Sequence, residues 1–177
     1  MATSVEVQTE LGSFVVALDE ERAPVTSRNF LAYVDGGYMS RMTAYRIVTR
    51  RNQPPDTRHV IEVIQWGWRP ATPDQLPPFP PIAHEPTSRT GISHRHLTIS
   101  MVRFAPGTAG PGFFICIGDQ PELDEGGRRN PDGHGFAAFG QVVGGEDVID
   151  AIFMRAGPDE MCDAPVQVTG ARRLAPA

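Results

Sequence analysis

Residues 43–48, TAYRIV, sit in the run MTAYRIV (42–48), which reads as a short β-strand. Alternation with a period of two puts Met42, Ala44, Arg46 and Val48 on one face and Thr43, Tyr45 and Ile47 on the other. An arginine therefore interrupts the more apolar stripe. A guanidinium is costly to desolvate unless partners satisfy it, so Arg46 either snorkels to water from a strand end or lines a pocket.

Outward from this run, strand signals dominate. VEVQT (5–9), GSFVVALD (12–19), HVIEVIQWG (59–67), HLTISMV (96–102), GFFICIG (112–118), FAAFGQVV (136–143) and VQVTGARRL (166–174) are each short, rich in β-branched or aromatic residues, and bounded by turn residues. With MTAYRIV they make about eight strands. Two segments read as helices. One opens at Pro24, carries Phe30, Leu31 and Val34 at helical spacing, and stops at Gly36-Gly37. The other, GEDVIDAIFMRAG (145–157), has acids in its first turn, Val148, Ile149 and Ile152 on one side, and Arg155 near its negative end. Many strands and two separated helices predict a mainly β fold, a closed barrel with covered ends.

Three stretches read as loops. TRRNQPPDTRH (49–59) and RPATPDQLPPFPP (69–81) are too rich in proline to belong to a central strand and are placed outside the barrel wall. DEGGRRNPDGHG (124–135) combines several chain-breaking pairs and reads as a surface loop.

The chain has 177 residues, 40% of them hydrophobic, which suits one domain spanning 1–177 with a real core. The net charge of -5 and the scattered arginine pairs argue against a nucleic-acid partner. No apolar run reaches membrane-span length, and no charged segment leading into an apolar one opens the chain, so a cytoplasmic protein without membrane contact is expected. Cys116 and Cys162 lack a C-x-x-C spacing and read as two buried thiols. In HEPTSRTGISHRH (84–96) an extended chain puts His94 and His96, two apart, on one face with His84 and Glu85 close in sequence, but two such histidines without a fixed third ligand are ordinarily surface residues. No metal site and no cofactor are expected.

In order, LGSFVVALDEERAPVTSRNFLAYVDGGYMSRMTAYRIV, VIQWG, HLTISMVRFAPGTAGPGFFICIG and FAAFGQVVGGEDVIDAI resemble the cyclophilins, a family of peptidyl-prolyl cis-trans isomerases. The resemblance runs from about Val5 to Val168. It implies a closed eight-stranded antiparallel β-barrel capped by two α-helices, with a proline groove on its outer surface, and a monomer acting on proline-containing peptides or unfolded protein clients. It also places Arg46 on the arginine regarded as catalytic and Gln65 on the glutamine that orients it and contacts the substrate backbone. Phe114 falls at the floor of the proline pocket, Leu123 on its wall and Val63 where methionine is usual. Val102, Gly112 and Phe136 match other substrate-binding positions, and the main chain of Arg103 would hold the residue before proline.

The departures concentrate at this site. Ala44 and Tyr45 replace a Phe-His pair, which removes a large ring beside the arginine. Pro111-Gly112 replaces Ser-Gln, and Phe136 stands where histidine is common. Glu122 and Glu62 fall at or near aromatic wall positions. Two readings follow: an isomerase, with activity reduced or altered by these changes, or a proline-peptide binding module or barrel repurposed for another ligand. Fold alone does not separate them.

Overall fold

A computed structural model describes residues 2–175. Eight antiparallel strands close into a barrel in the order β1-β2-β7-β5-β6-β4-β3-β8. The strands are β1 (Thr3–Thr9), β2 (Gly12–Leu18), β3 (Met42–Val48), β4 (Val63–Trp68), β5 (Thr98–Met101), β6 (Phe113–Cys116), β7 (Ala138–Gly144) and β8 (Met161–Arg173). Helix α1 (Pro24–Asp35) precedes β3, α2 (Thr87–Thr90) is a single turn before β5, and α3 (Glu146–Phe153) precedes β8. All eight expected strands form, and both expected helices do. The differences lie at the ends: β4 begins at Val63 rather than His59, since the main-chain groups of Ile61 pair with the Gln53 side chain, and β8 starts five residues before the predicted Val166.

Period-two alternation sorts each wall strand into an inner and an outer stripe. Phe113 and Ile115 of β6, and Ile64 and Trp66 of β4, face the barrel interior with Val5, Val7, Phe14 and Val16. Phe114 and Cys116, with Val63, belong to a second apolar cluster outside the wall. Helix α1 lays Phe30 edge-on to Phe113 at 5.5 Å and beside Phe139 at the same distance. Helix α3 adds Ile149 and Ile152 to the same core.

Strand β3 breaks the alternation. Its register to both neighbours shifts between Ala44 and Arg46, and against β4 Tyr45 is an extra residue: Ala44 pairs with Trp66, and Arg46 with Gln65. A bulge of this kind re-aims the side chains that follow it. Met42, Ala44 and Ile47 point into the core, whereas Val48 joins the outer cluster. The expected grouping of Arg46 with Ala44 is thereby corrected: Arg46 shares the outer face with Val48 and Tyr45.

Ala44 also lies away from the groove, so the ring missing there is missing from the core. The indole of Trp66, directly across the ladder, occupies that space, fully buried and stacked on Phe113 at 5.0 Å. A small residue facing a large one keeps the interior at native density.

The segments between strands are tied by side chains far apart in sequence. Helix α1 has no capping side chain of its own. The fully buried Glu85 carboxylate accepts hydrogen bonds from Val25 N–H, Thr26 N–H and Thr26 Oγ1 at its N-terminus, where free amides and the helix dipole favour an anion. The 69–81 segment packs Phe79 edge-on against Tyr33 at 5.0 Å and Tyr38 at 5.7 Å. His94 and His96 precede β5 rather than sharing a strand face, and they point to different partners. Cys116 is buried and Cys162 only half-buried, which corrects the expectation of two buried thiols; burial pushes the Cys116 thiol well up. Among the described residues no helix is long and apolar enough to cross a membrane.

The Ala44–Trp66 complementarity is testable. Ala44→Phe overpacks the core and is expected to lower unfolding free energy by about 2 kcal/mol in urea titrations. Pairing it with Trp66→Leu is expected to recover part of that loss; equal destabilisation in single and double variants would show that the two side chains do not share one space.

Candidate active site

Four polar side chains form a line on the outer face of β3 and β4. Arg46 donates from Nε and Nη2 to one oxygen of Glu160, Oε2, at 2.9 and 2.6 Å, and from Nη1 to Gln65 Oε1 at 2.9 Å. Gln65 in turn donates from Nε2 to the Tyr45 hydroxyl. The bulge makes this possible, because it brings Tyr45 and Arg46 to the same face with Gln65 opposite. Of the guanidinium's five N–H donors, one on each nitrogen is engaged. One N–H on each terminal nitrogen is left. The Arg46 side chain keeps 26% of its surface exposed.

Beside this line lies the outer apolar cluster: Val48, Ile61, Val63, Phe114, Cys116 and Leu123, flanked by Val102 and Phe136. The structure thus brings Val63, Val102, Phe114, Leu123 and Phe136 together in one cluster. Phe114 meets Phe136 edge-on at 5.6 Å and stacks on the imidazole of His94 at 5.8 Å. His94 is held in turn, with Nδ1 2.6 Å from Asp124 Oδ1 and Nε2 2.8 Å from Ser100 Oγ. This Ser-His-Asp chain is a support for the pocket floor and not a nucleophile, because Ser100 is fully buried. The Asp124 carboxyl is held low by its hydrogen bonds from His94 in spite of partial burial, which acts the other way and is the larger single effect.

Arg103 has a role that its sequence position did not suggest. Its side chain is almost wholly buried, lies over the Phe136 ring at 4.8 Å, and donates to Gly135 C=O, Phe104 C=O and both oxygens of Asp132. It clamps the 124–135 loop behind the pocket. Its own peptide groups, among the described residues, pair with no other main-chain group, so the edge beside Val102 is open to an extended peptide.

Gly112 is close-packed: a Cβ there would stand 3.3 Å from Trp66 C=O and from Val102 Cβ. Without a side chain it opens into a cleft of about 680 Å³ lined by Tyr45, Trp68, the 76–81 proline segment, Val102 and Phe104. The 69–81 loop therefore forms one wall of that cleft rather than covering Arg46.

The other loops carry residues that sequence reasoning missed. Arg129, from the 124–135 loop, donates from Nη1 to Gln53 Oε1 and His59 C=O, both at 3.0 Å. Its pKa is lowered, first by burial and then by the positive charge of Arg46, with Glu160 opposing. A second cation therefore shares the field of the first. Glu160 itself lies in the turn before β8, 114 residues from Arg46, and only the closed barrel brings the two together. The acids at aromatic wall positions are also paired: Glu62 with Arg50 at 3.1 Å, while Glu122 accepts from Arg128 N–H and stands 3.6 Å from His59. Among the described residues no group of three or more His, Cys, Asp or Glu side chains is placed to hold a metal ion.

Comparisons with known proteins agree with the barrel fold. The family model described as cyclophilin type peptidyl-prolyl cis-trans isomerase/CLD matches residues 4–172. The chain is 33% identical over 153 residues to peptidyl-prolyl cis-trans isomerase cyp18 of Streptomyces antibioticus, covering 85% of this chain and 82% of that protein. It is 31% identical to peptidyl-prolyl cis-trans isomerase A of Dickeya dadantii, covering 85% and 71%. The crystal structure of a cyclophilin type peptidyl-prolyl cis-trans isomerase of Cryptosporidium parvum superposes with a TM-score of 0.77 at 16% identity, covering 100% of both chains. A second structure of that protein, in the presence of the dipeptide Ala-Pro, gives 0.75 and covers 98% and 99%.

The clamp has a pH dependence whose sign is fixed by its charges. The hydrogen bonds from Arg103 hold the Asp132 carboxyl down at about 2, so the contribution is present above the ordinary carboxylate range and is lost as pH falls through about 2. Hydrogen exchange at Gly133–Phe136 is expected to stay protected down to about pH 4 once intrinsic rates are corrected, and to open toward pH 2. Loss of protection already at pH 5 would mean that this pair does not hold the loop.

Proposed function

The chain belongs to the cyclophilin-type peptidyl-prolyl cis-trans isomerase family, and on that basis we propose that it accelerates Xaa-Pro rotation by stabilising the twisted imide with Arg46. The observation that carries this reading is the guanidinium held beside an apolar cluster with one N–H free on each terminal nitrogen. The peptide bond's double-bond character sets a barrier of about 18–20 kcal/mol, and unaided X-Pro isomerisation takes roughly tens to hundreds of seconds. As the bond twists, conjugation is lost and the proline nitrogen regains a lone pair. A guanidinium N–H aimed at that nitrogen binds the twisted state better than either planar isomer, and only such differential binding accelerates the reaction. A thousandfold acceleration corresponds to about 4 kcal/mol, within reach of a charge-assisted hydrogen bond plus positioning. Rotation breaks no covalent bond, so neither a nucleophile nor a cofactor enters this mechanism.

The remaining residues take parts in the same reading. Val63, Phe114, Leu123 and Phe136 receive the prolyl ring. Gln65, turned by the Tyr45 hydroxyl, accepts from Arg46 and faces the peptide backbone. Val102 and the main chain of Arg103 supply the edge along which the residue before proline lies, and Gly112 leaves room for it. The substrates are proline-containing peptides and unfolded chains.

One observation favours a second reading, a proline-peptide binding module. The Glu160 carboxylate draws on the positive charge that the twisted nitrogen would otherwise feel.

NMR exchange spectroscopy on a short Xaa-Pro peptide, with no coupling protease, separates the two. Wild-type protein is expected to speed exchange, and Arg46→Ala to lower kcat/KM by at least about tenfold with an unchanged circular dichroism spectrum. Binding without exchange above background would establish the module; neither binding nor exchange would remove both readings.

A further inference from the structure

The Arg46 guanidinium is gripped at two places, and only one of them, Gln65, lies on the adjoining strand. The other is the single oxygen Oε2 of Glu160, which bridges Nε and Nη2. An acceptor shared by these two nitrogens fixes the rotation of the guanidinium plane, since both N–H bonds must converge on one point. Gln65 alone, holding one N–H on Nη1, would leave that plane free to turn.

Glu160 is well placed for such a grip because its own main chain is fastened to β3. Its carbonyl accepts from the N–H of Ile47, the residue after Arg46, at 2.8 Å. The Asn52 side-chain amide lies 2.9 Å from Ile47 C=O, 3.3 Å from Gly157 C=O and 3.2 Å from Asp159 C=O, tying the turn before Glu160 to the same strand. Both charged side chains are mostly shielded, at 26% and 20% exposure, so water competes weakly for the pair.

We propose that Glu160 is the positioning residue of this site: it sets which edge of the Arg46 guanidinium is presented to a prolyl peptide. The inference rests on the isomerase reading and adds to it a residue that acts through Arg46 without touching the substrate. Orientation, not charge, is its contribution, because an amide oxygen placed at Oε2 would accept the same two N–H bonds.

Three proteins and two readouts test it. Glu160→Ala is expected to lower kcat for the Xaa-Pro peptide about tenfold while KM changes less than about twofold, since a loosened catalytic group loses transition-state stabilisation more than binding. Glu160→Gln is expected to retain kcat within about threefold of wild type. Independently of activity, the Arg46 Nε–H resonance in nitrogen-15 spectra should be sharp in wild type, broadened by solvent exchange in the alanine variant and restored in the glutamine variant. Should the alanine variant not fold, Glu160→Ser, too short to reach the guanidinium, carries the same expectation. An alanine variant as fast as wild type or faster would overturn the proposal, as would a folded glutamine variant no better than alanine. A wild-type protein without exchange activity would instead remove the isomerase reading, while the Nε–H signal would still report whether Glu160 holds the guanidinium.

Discussion

In a closed barrel each strand is paired on both sides, so a residue's inward or outward direction is imposed by two neighbours at once. Strand β3 carries Tyr45 as an extra residue against β4, and at the same point β8 carries the surplus, residues 162–165, against β3. That bulge places Arg46 outside the wall while keeping Met42, Ala44 and Ile47 inside it. Without it, an arginine following the parity of Ala44 would project into a dry core, where an unpaired guanidinium is strongly destabilising. The core's demand for apolar side chains and the site's demand for an outward cation are thus met by one local irregularity.

The outer face then organises itself around partial burial of charge. Arg46 with Glu160 and Arg103 with Asp132 are each bound to neighbouring acceptors as well as to each other, the condition under which shielded ion pairs are tolerated. They act differently. Arg103 is spent entirely on structure, clamping the 124–135 loop and backing the Phe136 ring. Arg46 retains unused donors and exposure. The contrast between a saturated and an unsaturated arginine marks which of them is available for chemistry.

Loops that interrupt the barrel supply most of what is particular to this chain. The 49–62 connection provides Asn52 and Gln53, which hold the Glu160 turn and Arg129 respectively. The 69–81 segment sets Phe79 into an aromatic group with Tyr33, Tyr38 and Trp68, and its prolines form a wall of the cleft beyond Gly112. Proline stiffens such a wall and loses little conformational entropy on folding.

The eight strands and the helix starting at Pro24 were legible in the sequence, because alternation and chain-breaking residues are local signals. The family resemblance added the grouping of Phe114, Leu123 and Phe136 with Arg46, which no local pattern contains. What local periodicity predicted wrongly was the face of Arg46 relative to Ala44: a bulge is decided by two partner strands and leaves no mark in one strand's own pattern. Glu160, Arg129 and Asp132 were equally hidden, since in sequence they are acids and arginines in polar turns, and they acquire partners only when the fold brings residues 29 to 114 positions apart within hydrogen-bond distance. The chain's own residues thus determined which segments form the wall, whereas tertiary structure alone decided which way the arginine faces and what holds it, because both depend on long-range pairing.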